Sequence, residues 1–291
     1  MKKQLIISFL LFLFHLVGFG QGITQSKLSK PTLFEHKSLT GKVFQHYFDS
    51  KILNNSRKIF VWIPEGYDLN ENGYPLLLVH DGGAVFFSKK RGFGNRNKPK
   101  NNSLPKSGWN LDETVHELIQ SKKIKPIIMV GVSNTKNRGF EYVPTINGIN
   151  FGKALTQELI PEIKKLYRIN SEDIGTLGSS AGGLISLYLG WERNDVFIKA
   201  ACLSPGIIYG DQNYFELFKK AKVPDNLQLA IVNGADDFDS GLQPGFDKCI
   251  DYLNKINFPE ENLLYWVDQQ GSHSSQSWSH QAKDILQWMY K

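Results

Sequence analysis

Apolar and polar residues follow two different patterns along this chain. In residues 42–50 and 57–63 they largely alternate, and Asn54-Asn55-Ser56 between the two segments is a turn signal. This alternation predicts an antiparallel β-hairpin. Farther along, the apolar residues occur in short unbroken runs, which are typical of strands buried on both faces of a parallel sheet. The runs are residues 76–79, 127–130, 174–177, 200–203, 227–232 and 263–267.

Segments with helical periodicity separate the apolar runs, at residues 111–121, 151–166, 184–191, 215–222, 245–256 and 277–290. Strands that alternate with helices indicate an α/β fold with a mostly parallel central sheet and helices on both faces. No repeat, low-complexity tract or linker divides the sequence. We therefore expect a single domain over residues 21–291.

The first 20 residues have the pattern of a signal peptide. Lys2 and Lys3 are followed by an apolar run over residues 5–17, and Gly18-Phe19-Gly20 supplies a small-x-small cleavage site. We predict cleavage after Gly20 and an exported protein, either periplasmic or secreted, with no stable membrane insertion. An uncleaved N-terminal anchor is the alternative.

Charge and cysteine content narrow the function classes only a little. The formal net charge is +6 in 291 residues, without a dense basic helix, so nucleic-acid binding is not indicated. Cys202 falls in an apolar strand and Cys249 in a predicted helix. An exported protein can pair two cysteines, but two buried free thiols are an equal expectation. The oligomeric state stays open.

Residues 178–182 read Gly-Ser-Ser-Ala-Gly and lie between the run at 173–177 and a helical segment that starts at 183. A serine in a Gly-x-Ser-x-Gly turn between strand and helix is a nucleophile elbow. The glycines are expected because side chains two residues before or after the serine would collide with the neighbouring elements. Ser180 is therefore the predicted nucleophile. An elbow in the middle of this sheet, after an antiparallel start, predicts the α/β-hydrolase fold.

A serine nucleophile needs a base and an orienting acid, which follow it in the order Asp or Glu, then His. His273 and His280 are the histidines after Ser180, and His273 is favoured because it lies in a loop just past a predicted strand. The acid should follow the run at 227–232, where Asp236, Asp237 and Asp239 compete.

The oxyanion donors should be backbone amides at two turns that follow strands. Ala181 directly follows the nucleophile, and Gly83 lies in the segment His80-Asp81-Gly82-Gly83 after an apolar run. We predict the amides of Gly83 and Ala181 as the pair. His80 precedes Ser180, so we interpret it as a buttress of this loop and not as the base.

These segments together resemble the Putative esterase family of α/β hydrolases, which includes feruloyl and acetyl-xylan esterases and enterochelin-type siderophore esterases. The resemblance runs from about residue 57 to the C-terminus. It implies a metal-free, cofactor-independent serine hydrolase that acts on esters. The Gly-x-x-Asp pattern at residues 234–237 selects Asp237 as the acid, and Trp278, five residues after His273, matches a family tryptophan that we place at the substrate. The other matching segments are residues 61–67, 80–83, 130–134, 138–144, 158–161 and 178–183.

A basic segment at residues 88–108 departs from the family pattern. It contains seven Lys or Arg residues, among them Lys89, Lys90 and Arg91, and no acidic residue. Because it follows the predicted oxyanion loop, it could recognise an anionic substrate. A solvated loop without a binding role is an equal expectation.

The sequence thus predicts an exported serine carboxylic-ester hydrolase that acts on a small-molecule or glycan ester. Feruloyl or acetyl substituents of polysaccharides are the favoured substrates. The alternatives are a ferric-siderophore esterase, an acyltransferase on the same triad, and a non-catalytic glycan-binding relative.

Overall fold

The computed structural model describes residues 23–69, 72–86 and 108–291. The predicted signal peptide at residues 1–20 and most of the basic segment, with Lys89, Lys90 and Arg91, lie outside the described residues. Within those ranges no helix has the length and the apolar character needed to cross a membrane.

The described strands form one large sheet and a separate small hairpin. The large sheet has the order β1-β3-β4-β6-β5-β7-β8-β11-β12, with β2 paired to β3. The first strands pair antiparallel, and β5 to β8, β11 and β12 pair parallel. The strands are β1 Lys27–Leu28, β2 Thr32–Phe34, β3 Lys42–Ser50, β4 Asn55–Ile63, β5 Tyr74–His80, β6 Ile128–Val132, β7 Ile169–Ser179, β8 Lys199–Leu203, β9 Ile208–Tyr209, β10 Gln212–Asn213, β11 Gln228–Gly234 and β12 Leu263–Asp268.

Helices cover both faces of the parallel strands. One face packs against α2 and α9, and the other packs against α5, α6 and α8. Neighbouring residues of one strand therefore enter different cores, as Leu76 and Leu77 of β5 do. The helices are α1 Gly83–Phe86, α2 Leu111–Gln120, α3 Arg138–Glu141, α4 Ile146–Lys153, α5 Ile160–Leu166, α6 Ala181–Glu192, α7 Phe215–Lys220, α8 Gln243–Lys255 and α9 Ser275–Tyr290, with a π-helical segment Ala154–Leu159 between α4 and α5.

The predicted fold class is confirmed, including the hairpin before the parallel sheet. The predicted strand at residues 42–50 matches β3. Its turn lies at residues 51–54 and begins three residues before the predicted signal at 54–56, because Asn55 already pairs with Ser50. The predicted helix at 151–166 starts earlier, at Ile146, and contains the π segment. Cys202 and Cys249 are buried free thiols in one apolar cluster.

Candidate active site

The loops that carry the predicted catalytic residues all leave the same edge of the sheet. Strands β5, β7, β8, β11 and β12 run parallel to one another, so their carboxyl ends share that edge. In open α/β sheets this is where ligands bind. The oxyanion loop follows β5, Ser180 follows β7, the acidic turn follows β11 and the His273 loop follows β12.

Ser180 occupies the sharp turn that a nucleophile elbow requires. Its φ is 58° and its ψ is −125°, and its amide donates to the Leu203 carbonyl at 2.9 Å. Such a backbone is strained for a non-glycine residue. A Cβ on Gly178 would lie 2.4 Å from the Gly182 carbonyl oxygen, so this position needs glycine.

The glycines after Ser180 differ from the expectation. A Cβ on Gly182 would meet its nearest atoms at 3.4 Å, which is ordinary contact. The crowded position is Gly183, where a Cβ would lie 2.8 Å from the Leu203 carbonyl oxygen, because α6 packs there directly against the end of β8.

The carboxylate that the structure brings to His273 belongs to Asp239. His273 Nδ1 lies 2.6 Å from Asp239 Oδ1. The other oxygen, Oδ2, accepts hydrogen bonds from Ser204 Oγ at 2.8 Å and from the Gly234 amide at 3.2 Å. Asp239 is fully buried and the His273 side chain is 19% exposed. The choice of Asp237 is corrected accordingly, since the single Nδ1 of His273 is engaged by Asp239.

The geometry of a 3₁₀ turn explains why motif spacing selected the wrong aspartate. Residues 237–241 form one 3₁₀ helix. With three residues per turn, each step along the turn rotates the side-chain direction by about 120°. Motif spacing therefore does not tell which residue of the turn faces His273, and the structure shows that Asp239 does. The turn is held in place by Asn233 Nδ2, which donates to the Asp239 carbonyl at 3.0 Å. The side chain of Asp237 lies outside the described part.

Two aromatic rings enclose the His273 imidazole. Phe238 packs on it with ring centroids 4.6 Å apart, and Trp278 makes an edge contact at 4.9 Å. Trp278 Nε1 also donates to Ser204 Oγ at 3.0 Å. Trp278, predicted at the substrate, thus contacts the predicted base and hydrogen-bonds the serine that donates to Asp239. His280 is exposed on α9.

No hydrogen bond joins Ser180 Oγ to His273 Nε2 in the described part of the chain; the imidazole bonds through Nδ1 alone. Hydrogen bonds between catalytic groups are often long in a free enzyme and shorten when substrate binds.

The oxyanion loop is held by a cluster of side chains that we call the Asp81 clamp, formed by Asp81, Asn134, Arg138 and Tyr142. Arg138 donates to both Asp81 oxygens, from Nε at 2.7 Å and from Nη2 at 2.8 Å. Asn134 Nδ2 donates at 2.7 Å, and the Asp81 amide donates to Tyr142 Oη at 3.2 Å. Asp81 has a φ of 64°, which these contacts stabilise.

Each of the two predicted oxyanion donors is the first residue of a helix. Gly83 is the first residue of α1 and Ala181 the first residue of α6, so neither amide has an acceptor inside its own helix. The two turns are close, because a Cβ on Gly182 would lie 3.4 Å from Asp81 Oδ2. Arg138 Nη2 also lies 3.5 Å from the Ser179 carbonyl oxygen, next to the nucleophile.

His80 is a buried support of the loop, as expected. Its Nε2 lies 3.1 Å from Thr176 Oγ1, and its ring packs against Tyr142 and Phe151, which also contact each other. Burial lowers the pKa of His80 to about 3, against an opposing effect of Asp81. The ring is therefore neutral at physiological pH and structural in role.

Sequence reasoning missed Ser204 and gave no role to Arg138 and Asn134. Ser204 lies directly after β8 with a φ of 44°, and its hydroxyl donates to Asp239. The available sequence signal was a polar residue that directly follows a buried strand.

In the described ranges no group of three or more His, Cys, Asp or Glu side chains could hold a metal ion.

The chain matches the family model described as Putative esterase over residues 50–281. It belongs to the Putative esterase family. Protein YbbA of Bacillus subtilis (strain 168) is 19% identical over 257 residues, which cover 81% of this chain and 93% of that protein. Membership supports a carboxylic-ester hydrolase.

Solved structures share the fold of this esterase-family protein. The enterobactin esterase FES from Shigella flexneri, in the presence of enterobactin, superposes with a TM-score of 0.69 at 17% identity and covers 87% of this chain. This chain spans only 60% of the length of the Shigella protein. A ferulic acid esterase has a TM-score of 0.61 at 17% identity, with 86% of this chain and 98% of that chain covered.

Proposed function

We propose that this esterase-family protein is an exported serine carboxylic-ester hydrolase with the triad Ser180, His273 and Asp239. The observation that carries the proposal is the pairing of His273 with a fully buried, fully hydrogen-bonded carboxylate, at the sheet edge where the strained Ser180 turn also lies. A carboxylate so placed keeps the proton on Nδ1 and leaves Nε2 free to act as base.

The proposed reaction has two halves. His273 Nε2 takes the Ser180 hydroxyl proton as Oγ attacks the ester carbonyl, and Asp239 stabilises the resulting imidazolium. The amides of Gly83 and Ala181 bind the oxyanion, each contributing about 3 kcal/mol to the transition state. His273 then gives the proton to the leaving alcohol. Water, activated in the same way, releases the acid from Ser180.

Feruloyl or acetyl esters of polysaccharides are the proposed substrates. A siderophore ester is the second candidate, which the fold shared with a Shigella enzyme solved in the presence of enterobactin favours. Transfer of the acyl group to a sugar hydroxyl, in place of water, uses the same triad. A non-catalytic glycan-binding role would not require the triad.

The test uses residues 21–291 with methyl ferulate, acetylated xylan and ferric enterobactin as substrates, and Ser180→Ala as the blank. We expect turnover of at least one polysaccharide-type ester, lost in the variant, with both proteins melting within about 2 °C of each other. Turnover of ferric enterobactin alone would select the second candidate. Folded protein without turnover of any ester would favour the non-catalytic role. N-terminal sequencing of the exported protein should begin at Gln21.

A further inference from the structure

Two exposed aromatic side chains lie next to the base and have no part in the proposed triad. Phe238 is 40% exposed and Tyr209 is 53% exposed. Their ring centroids are 5.1 Å apart, and Phe238 is itself in contact with the His273 imidazole. We call this pair the aromatic shelf. Exposed large apolar groups in contact with each other at a catalytic site mark a binding surface.

The shelf is held by ordered backbone on both sides. Phe238 comes from the same 3₁₀ turn that supplies Asp239. Tyr209 comes from the β9–β10 hairpin, which packs so closely on α8 that a Cβ on Gly245 would lie 2.7 Å from the Ile208 amide nitrogen. Packed elements therefore set the backbone positions of both residues next to the His273 loop.

The chemistry of the base decides which part of the ester reaches the shelf. His273 must hand its proton to the leaving alcohol oxygen, so that oxygen lies at the imidazole in the transition state. Phe238 contacts the same imidazole. The group next to the shelf is therefore the alcohol part of the ester and not the acyl part.

The surroundings of the shelf match a sugar ring. Sugar rings have apolar C–H faces and polar edges. Tyr209 and Phe238 offer apolar faces, and the exposed Asp211 and Gln212 beside Tyr209 offer hydrogen-bonding groups at the rim. We propose that Phe238 and Tyr209 bind the sugar ring of the alcohol part of an acylated glycan. This inference rests on the proposed function, because it takes His273 as the base.

Three ester substrates distinguish a ring that binds through the alcohol part of the ester from one that binds through the acid part. 6-O-Acetylglucose carries a ring in the alcohol part, ethyl acetate has the same acyl group without a ring, and methyl cinnamate carries its ring in the acid part. We expect Phe238→Ala and Tyr209→Ala each to raise KM for 6-O-acetylglucose about tenfold. In Tyr209→Ala, KM for the other two esters should stay within about twofold of the wild-type value.

Matched variants control for folding and for general apolar contact. Tyr209→Phe keeps the ring and should keep the wild-type KM. Tyr265→Ala removes a tyrosine that is 44% exposed on β12, and it should leave all three KM values unchanged. Tyr209 is the decisive position if Phe238→Ala also lowers kcat, because Phe238 and not Tyr209 packs on His273.

The inference and the proposed function fail in different ways. A rise in KM for methyl cinnamate alone, an equal rise for all three esters in Tyr209→Ala, or no turnover of 6-O-acetylglucose by an enzyme that cleaves the other two would overturn the shelf. Turnover retained in Ser180→Ala would overturn the proposed function, whatever the shelf variants do.

Discussion

The acid–base side and the oxyanion side of the candidate site use their side chains in opposite ways. In the proposed mechanism the side chains on the acid–base side are the reacting groups, and His273 and Asp239 are held by Ser204, Trp278 and the Gly234 amide. On the oxyanion side the Asp81 clamp holds the loop that carries the Gly83 amide, the proposed oxyanion donor. An arginine–carboxylate pair can thus be a scaffold, while the catalytic carboxylate is held by neutral donors.

The histidines of the two sides show the same contrast. His80 is fully buried against Thr176, Tyr142 and Phe151, which keeps it neutral. His273 is partly exposed and faces a carboxylate. Burial without a charged hydrogen-bond partner makes a histidine structural, whereas partial exposure beside a carboxylate gives it the proton-transfer capacity of a base.

The largest effect should follow loss of the base. His273→Ala should lower kcat by about 10⁶-fold, because Ser180 then has no proton acceptor. His280 is an exposed histidine on α9, seven residues after His273. His280→Ala should leave kcat unchanged. Initial rates with a chromogenic ester measure both. Equal losses in the two variants would remove His273 from the mechanism.

A methyl group at Gly234 should displace the acid. A Cβ there would lie 2.5 Å from Asp239 Oδ2 and 2.7 Å from the Gly271 carbonyl oxygen. Gly234→Ala should lower kcat by about 10²-fold, since a small misplacement of catalytic groups has this effect. The control is Gly241→Ala in the 3₁₀ turn that carries Asp239, where a Cβ meets nothing within 4 Å. Wild-type kcat in Gly234→Ala would contradict the role of Asp239.

Loss of the Asp81 clamp should weaken the oxyanion side without removing it. Arg138→Gln should lower kcat by about 10-fold to 10²-fold with KM nearly unchanged, because the Gly83 amide acts only on the developing oxyanion. Arg138→Lys should recover part of the loss.

The bidentate pair Arg193–Asp195 serves as a control for Arg138→Gln, because it separates loss of stability from loss of catalysis. Arg193 bonds both oxygens of Asp195 at 2.9 Å, beyond the far end of α6. Arg193→Gln should leave kcat unchanged. A fall in melting temperature with no fall in kcat for Arg138→Gln would make the clamp a stability element only.

The last of these effects concerns stability and its dependence on pH, with no change in kcat. The pKa of His80 falls from 6.5 to about 3 on folding, so its contribution is complete above pH 6.5 and is lost as the pH falls towards 3. Relative to His80→Gln, the wild-type free energy of unfolding should fall by about 1.4 kcal/mol per pH unit across that window. Denaturant titrations at several pH values measure it. A constant difference between the two proteins would mean that His80 is not buried neutral.

The sequence was sufficient for the fold and for the elbow, because short unbroken apolar runs and a Gly-x-Ser-x-Gly turn are local signals. It failed at Asp239, since motif spacing does not report the angular position of a residue on a 3₁₀ turn. The elements β1, β2, β9, β10, α1 and α3 were missed because two to four residues are too few to show a period. The roles of Ser204 and Arg138 depend on contacts between distant segments.

The most direct test of the account compares Asp239→Asn with Asp237→Asn. An asparagine at the true acid disturbs the tautomer of His273 and lowers kcat by about 10⁴-fold. We predict this loss for Asp239→Asn and a change in kcat of less than about threefold for Asp237→Asn. The melting temperatures of both variants separate a loss of catalysis from a loss of folding. The reverse result, with the large loss in Asp237→Asn, would contradict the assignment of Asp239 as the partner of His273.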